Sequence, residues 1–153
     1  MANEGGKVFN RDVLIAGDGA LYVKDKKVIG ENGAFVNGAA GALAKTAAYT
    51  MAAADSGLVT TVTAVGNTVI TLPATVVGYS FTIVNGATNG VGEISVDPNA
   101  SDKIVGGSLT GGDGKKFTNT LATSKKGDLI KLVADGVNGW FVTEIVGTWA
   151  AEA

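Results

Sequence analysis

An all-β fold, a sandwich or barrel of short antiparallel strands, is what this sequence predicts, and three features predict it. Threonine, valine and isoleucine crowd the stretches between glycines, the composition of pleated, half-buried strands. Glycine occurs 23 times and proline only twice, so the runs are short and the breaks frequent. From residue 55 onward, turn signals recur roughly every 8–12 residues, the spacing of a sandwich or barrel.

The elements follow in order. Residues 1 to 38 are mixed and charged, with short apolar runs "DVLIA", "ALYVK" and "KVI" separated by "GDG" and "DKK". Leu21–Lys24 and Lys27–Ile29, joined around Asp25–Lys26, suit a small hairpin. The region has too few large apolar residues for a core of its own, so it is expected to lean on another surface as an arm. Residues 39–54, "AAGALAKTAAYTMAAA", are alanine-rich, which favours a helix by propensity. The alternation of Tyr49 and Met51 favours instead a linker followed by a strand, and that reading is preferred while helix stays open. The expected division is 1–46 for arm and linker and 47–153 for the β domain.

The run "LVTTVTAVGNTVITLP" contains two alternating segments with Gly66–Asn67 between them, a two-residue hairpin signal. Pro73 ends the second segment because it cannot donate to a ladder. Further strands are expected at "YSFTIVN", "EISVD", "KIVGGSL", "KFTNTLA", "DLIKLVA" and "WFVTEIV". With Gly136–Gly139 as its loop, the last hairpin sets Ala134 opposite Phe141, Val133 opposite Val142 and Leu132 opposite Thr143. Lys131 then opposes Glu144 and Ile130 opposes Ile145, a charge pair contributing roughly 0.2–1 kcal/mol. In this register Ile130, Leu132, Ala134, Phe141 and Ile145 face the core, and Trp140 falls on the opposite face.

Composition removes whole classes of chemistry. At 153 residues a compact domain buries roughly 70% of its unfolded surface and needs no disulfide or metal to fold. There is no cysteine and no histidine. Disulfide frameworks, thiolate metal sites, serine–histidine triads and histidine proton shuttles are therefore excluded. Twelve basic against fourteen acidic residues give a net charge of −2 without long runs, which argues against a nucleic-acid partner. The first twenty residues lack the apolar stretch of a signal peptide, and no uncharged run approaches the roughly 20 residues of a membrane helix. Synthesis in a cytoplasm, with no export address and no membrane partner, is expected.

Several motifs invite chemistry and fail on inspection. "GGSLTGGDGKK" (106–116) resembles a phosphate loop, but Leu109 stands where glycine is needed and Lys116 where serine or threonine is needed. "DPNASD" (97–102) begins like a calcium loop, yet Asp102 replaces the sixth-position glycine and Ser108 the twelfth-position glutamate. An Asp–Pro turn is the simpler account. Asp97, Asp102, Asp128, Asp135 and Glu144 are candidates for a glycosidase-like carboxylate pair. Asp128 and Asp135 have turn roles and Glu144 has Lys131, so no enzyme and no cofactor is expected. Both tryptophans fall near the end: Trp149 suits burial within or between subunits, and Trp140 suits an interface.

The order of short motifs then matters. "YTMAAADSG" (49–57), "TVITLPA" (68–74), "GYSFTIVN" (78–85), "DKIVG" (102–106), "KKGDLIKLVADGVNGW" (125–140) and "GTW" (147–149) occur in sequence. This resembles a small β domain of tailed-bacteriophage virion proteins, found in head decoration or head-fibre proteins and in fibre tips. Gly139 departs from it by lengthening the final turn, which bears on tip geometry.

The resemblance implies a homotrimeric β domain that decorates or cements the capsid exterior, with the major capsid protein as partner and no catalytic residues. The expected capsid-binding arm comprises Lys7, Val8, Phe9, Arg11, Val13, Leu14 and Ile15, the two cations pairing with acidic capsid groups. Trp140, Trp149 and Tyr79 are the expected subunit-interface or tip residues. The alternative is a receptor- or host-glycan-binding module at a fibre or spike tip.

Overall fold

The computed structural model describes residues 7–10, 13–15, 21–23, 26–29, 42–106 and 109–153, the first four stretches and Thr110 as backbone. The chain divides into two compact units, Met1–Gly41 and Ala42–Ala153. In the first, strands β1 (Lys7–Asn10), β2 (Val13–Ile15), β3 (Leu21–Val23) and β4 (Lys26–Ile29) form a four-stranded sheet in that order. All three pairings are antiparallel, and Val23 opposite Lys26 closes the expected hairpin.

The second unit is a β-sandwich of two mixed sheets. Its strands are β5 (Ala42–Lys45), β6 (Tyr49–Thr50), β7 (Val59–Val62), β8 (Gly66–Thr71), β9 (Ser80–Asn85), β10 (Gly92–Asp97), β11 (Lys103–Gly106), β12 (Leu109–Thr110), β13 (Phe117–Asn119), β14 (Leu129–Ala134), β15 (Gly139–Val146) and β16 (Ala150–Ala151). A seven-stranded sheet runs β12-β11-β15-β14-β9-β7-β5 and a five-stranded sheet β16-β13-β10-β8-β6. The alanine-rich segment resolves into β5, β6 and a 3-10 turn at Ala53–Asp55. The expected boundary at 46/47 and the observed division at 41/42 differ by β5, which pairs with β7.

From β5 to β10 the chain steps back and forth between the sheets. Same-sheet neighbours therefore run parallel: β5–β7–β9 in one sheet and β6–β8–β10 in the other. This corrects the expectation of purely antiparallel strands, and of a hairpin at Gly66–Asn67 in particular. Gly66, at φ +75°, opens β8 as the chain changes sheets, and its N–H donates to Val91 O at 2.8 Å. Both flanking runs alternate, so a local hairpin and a crossover bury the same residues; contacts with distant strands decide. The later strands restore antiparallel pairing at β9–β14, β14–β15, β10–β13 and β13–β16.

Alternation fills the space between the sheets. Ile70, Ile94, Val96 and Phe117 from one sheet, and Val62, Phe81, Ile83, Ile104, Ile130 and Leu132 from the other, are at most 1% exposed. Fully burying each such side chain stabilises by about 1.5–3 kcal/mol before entropy is counted.

The β14–β15 hairpin keeps the expected pairs Lys131↔Glu144 and Ile130↔Ile145, then slips. Leu132 pairs with Val142, Val133 with Phe141 and Ala134 with Trp140, leaving Thr143 as a bulge. One extra residue reverses the faces beyond it. Trp140 turns inward and Phe141 outward, the reverse of the expectation.

Candidate interaction surfaces

The expected arm residues are placed only in part. Lys7, Val8 and Phe9 belong to β1 and Val13, Leu14 and Ile15 to β2, with Val8 opposite Leu14. Arg11, and the side chains of the other six, lie outside the described residues.

Of the three aromatic residues expected at an interface or tip, Trp140 and Trp149 belong to the core cluster and Tyr79 packs against it; for Trp149 this is the burial within the subunit that the sequence allowed. Trp140 is fully buried, with its ring centroid 5.4 Å from that of Phe81. This corrects its assignment to an outer face, and the bulge at Thr143 is the cause. Trp149 is 7% exposed and donates from Nε1 to Val146 O at 3.0 Å, closing one end of the sandwich. Tyr79 is half-buried and packs edge-on against Phe81 at 6.3 Å.

Asp97, Asp128 and Asp135 each have local partners. Lys116 Nζ lies 3.5 Å from Asp97 Oδ2. Asp128 Oδ2 accepts from Asn119 Nδ2 at 2.8 Å and Lys125 N at 2.9 Å. Asp135 Oδ1 accepts from the backbone N–H groups of Val137, Asn138 and Gly139 at 2.7, 3.1 and 3.0 Å. The bond from Val137 is the main influence holding its carboxyl below the usual range, with smaller help from Gly139, Asn138 and the charge of Lys103. Asp102 is buried, and its Oδ2 has no hydrogen-bond partner among the described residues. Among those residues, no three carboxylates gather as a metal site.

The glycine-rich stretch runs from the end of β11 through β12. Gly106 pairs with Leu109 across the β11–β12 hairpin, and Gly111 N donates to Ile104 O at 3.0 Å. It leads into β13 rather than into the helix that a phosphate loop requires. In "DPNASD", Asp102 N donates to Asn99 O at 2.6 Å, a closed turn.

The two outer faces of the sandwich differ in chemistry. The five-stranded sheet presents an open groove of about 450 Å³, whose walls include Asn67, Glu93, Ser95, Lys116 and Thr118. These side chains largely bond one another: Asn67 Nδ2 donates to Glu93 Oε1 at 2.6 Å, and the Ser95 and Thr118 hydroxyls are 3.1 Å apart. The seven-stranded sheet presents apolar rows. Val105, Phe141 and Val133 stand in register on adjacent strands, as do Val146, Leu129 and Val84.

Sequence reasoning passed over this second surface, although its signal was present. Ile130, Leu132 and Ala134 facing inward leaves Leu129 and Val133 facing out. Comparison with known proteins adds no relative, since no family model, curated protein or solved structure matches the chain.

Proposed function

We propose that this protein is a structural component of a tailed-bacteriophage virion, a homotrimer bound to the outer surface of the capsid through its N-terminal unit. The observation that carries the reading is the division of the chain. The described residues of the 41-residue unit Met1–Gly41 form one sheet of strands three or four residues long, and the remainder of the chain forms a larger sandwich with its own core. A domain of about 40 residues rarely sustains itself without outside help, and a sheet buries its apolar face only against a second layer. In this reading the major capsid protein supplies that layer. The order of motifs from "YTMAAADSG" (49–57) to "GTW" (147–149) contributes the phage setting and the trimer.

The mechanism is mechanical. Each bound trimer bridges neighbouring capsid subunits, so separating them requires losing the added interface. Standard interfaces bury roughly 1,200–2,000 Å², and three linked attachment units convert weak single-site binding into stable occupancy.

The test is cosedimentation of purified protein with its cognate phage heads, using the intact chain and a chain lacking residues 1–41. The intact chain should saturate the heads, while the truncated chain should stay folded and remain in the supernatant. Equal occupancy by both removes the attachment role of the first unit.

A second reading, recognition of a host-surface glycan or receptor, draws on the groove over the five-stranded sheet, whose amide, hydroxyl and carboxylate groups suit a polyhydroxylated ligand. The burial of both tryptophans removes the stacking platforms such sites commonly use, which makes it the weaker reading. Glycan-array binding lost on Asn67→Ala, with head occupancy unchanged, would favour it.

A further inference from the structure

We propose that the outer face of the seven-stranded sheet is where one copy of this chain packs against another. The inference names the subunit contact for the trimer of the preceding reading, and it rests on that reading for its setting.

The geometry is specific. One apolar row crosses β11, β15 and β14 at Val105, Phe141 and Val133. A second crosses β15, β14 and β9 at Val146, Leu129 and Val84. Each row spans about 10 Å at ordinary strand spacing, and the four-residue step from Leu129 to Val133 separates them by about 13 Å. Phe141 is 54% exposed and Val146 45% exposed. Isolated apolar side chains at a surface are ordinary, whereas two registered rows on one face are what a partner covers. The other sheet shows the contrast: around Val69 its outer groove carries the hydrogen-bonded pairs Asn67–Glu93 and Ser95–Thr118.

Charge identifies the partner. Between the two rows, Lys131 and Glu144 stand directly opposite each other across the ladder. At the margin, Lys103 stands opposite Gly139 on β15, whose N–H donates to the Asp135 carboxylate at 3.0 Å. The face thus carries both signs in balance, with an aromatic and aliphatic surround. A polyanion or a strongly acidic protein would call for one sign. A second copy presents the same balanced pair, so Lys131 of one chain can meet Glu144 of the next while apolar rows cover one another.

The test uses the full-length chain in light scattering and sedimentation velocity. The wild type should show a multiple of 15.3 kDa. Phe141→Lys should lose the assembled species and leave monomer with an unchanged β-sheet circular dichroism spectrum, since the side chain is exposed. Lys131→Glu should weaken assembly, and adding Glu144→Lys should restore it. Asn67→Lys, on the other sheet, should leave the mass unaltered.

A monomeric wild type at high micromolar concentration overturns the proposal. So does an unchanged mass for Phe141→Lys, or equal dissociation by Asn67→Lys. Head binding measured on the same samples separates the two claims. A monomer that still coats heads defeats the interface alone, while a Phe141-dependent oligomer that ignores heads defeats the decoration reading alone.

Discussion

Asn119 Nδ2 donates to Asp128 Oδ2 at 2.8 Å and also to Thr148 O at 2.9 Å, tying three segments together at one end of the sandwich. Asn119 ends β13 in one sheet, and its Oδ1 accepts from Nδ2 of Asn85, which ends β9 in the other. All three side chains are at most 4% exposed. Buried polar groups left without partners cost about 1–3 kcal/mol, so Asn119→Ala should lower stability by about 2–3 kcal/mol in urea denaturation. Gly147 supports the same network: it has φ +89°, and a Cβ there would collide with the Asp128 carboxylate. Gly147→Ala should therefore cost about 1–3 kcal/mol. Wild-type midpoints in both variants would show that the network contributes little.

Trp140 poses a test of a different kind. Its indole is fully buried beside Phe81, and Nε1 has no hydrogen-bond partner among the described residues. Trp140→Ala opens a cavity and should cost about 3–5 kcal/mol. Trp140→Phe loses less volume and also removes an unpaired donor, so its cost should stay below about 2 kcal/mol. Denaturation midpoints give the ordering. Emission from Trp140 alone, in a Trp149→Phe background, should be blue-shifted and resist acrylamide quenching.

Local alternation made most strands readable. The inward set Ile130, Leu132 and Ala134 is seen as expected, and the pair Lys131↔Glu144 stands where charge matching put it. What local pattern could not supply was the partner of each strand. Around Gly66 the apolar alternation is satisfied equally by a hairpin and by a crossover, and only contacts with β10 and β6 select between them. The bulge was equally silent, because Phe141 and Trp140 are both credible core residues and one inserted position exchanges them. Asn85 and Asn119 carry turn chemistry in sequence, yet they are buried because each finds the other.

Asp135 should leave a signature in acid. Three backbone N–H groups favour its ionised form and lower its folded pKa, led by that of Val137. A depressed carboxylate stabilises the fold fully above its unfolded value of about 3.9 and loses that contribution as pH falls through the folded value. Asp135→Asn keeps an acceptor oxygen but has no proton to take up. The variant should melt below the wild type at pH 6, and the gap should close as pH drops well below 3.9. A constant difference across that range would mean that the carboxylate's charge is not what orders the loop.

The bulge itself can be removed. Thr143 is the surplus residue between Glu144, which pairs with Lys131, and Val142, which pairs with Leu132. Its Oγ1 donates to Lys131 O at 3.3 Å, so the side chain holds the local kink. Deleting Thr143 leaves every observed pair on both sides of it in register, and the loss should be one weak hydrogen bond plus local twist, under about 2 kcal/mol. Deleting Val142 instead offers Thr143 to the inward slot beside Leu132, replacing an apolar contact with a hydroxyl, and should cost more. Deleting Phe141 draws either Trp140 out of the core or Val142 out of its slot, and should be the most damaging of the three. Melting temperatures of the three deletions therefore rank the positions. A different order would mean that the ladder slips elsewhere, and Trp140 would again be a candidate for the outer face.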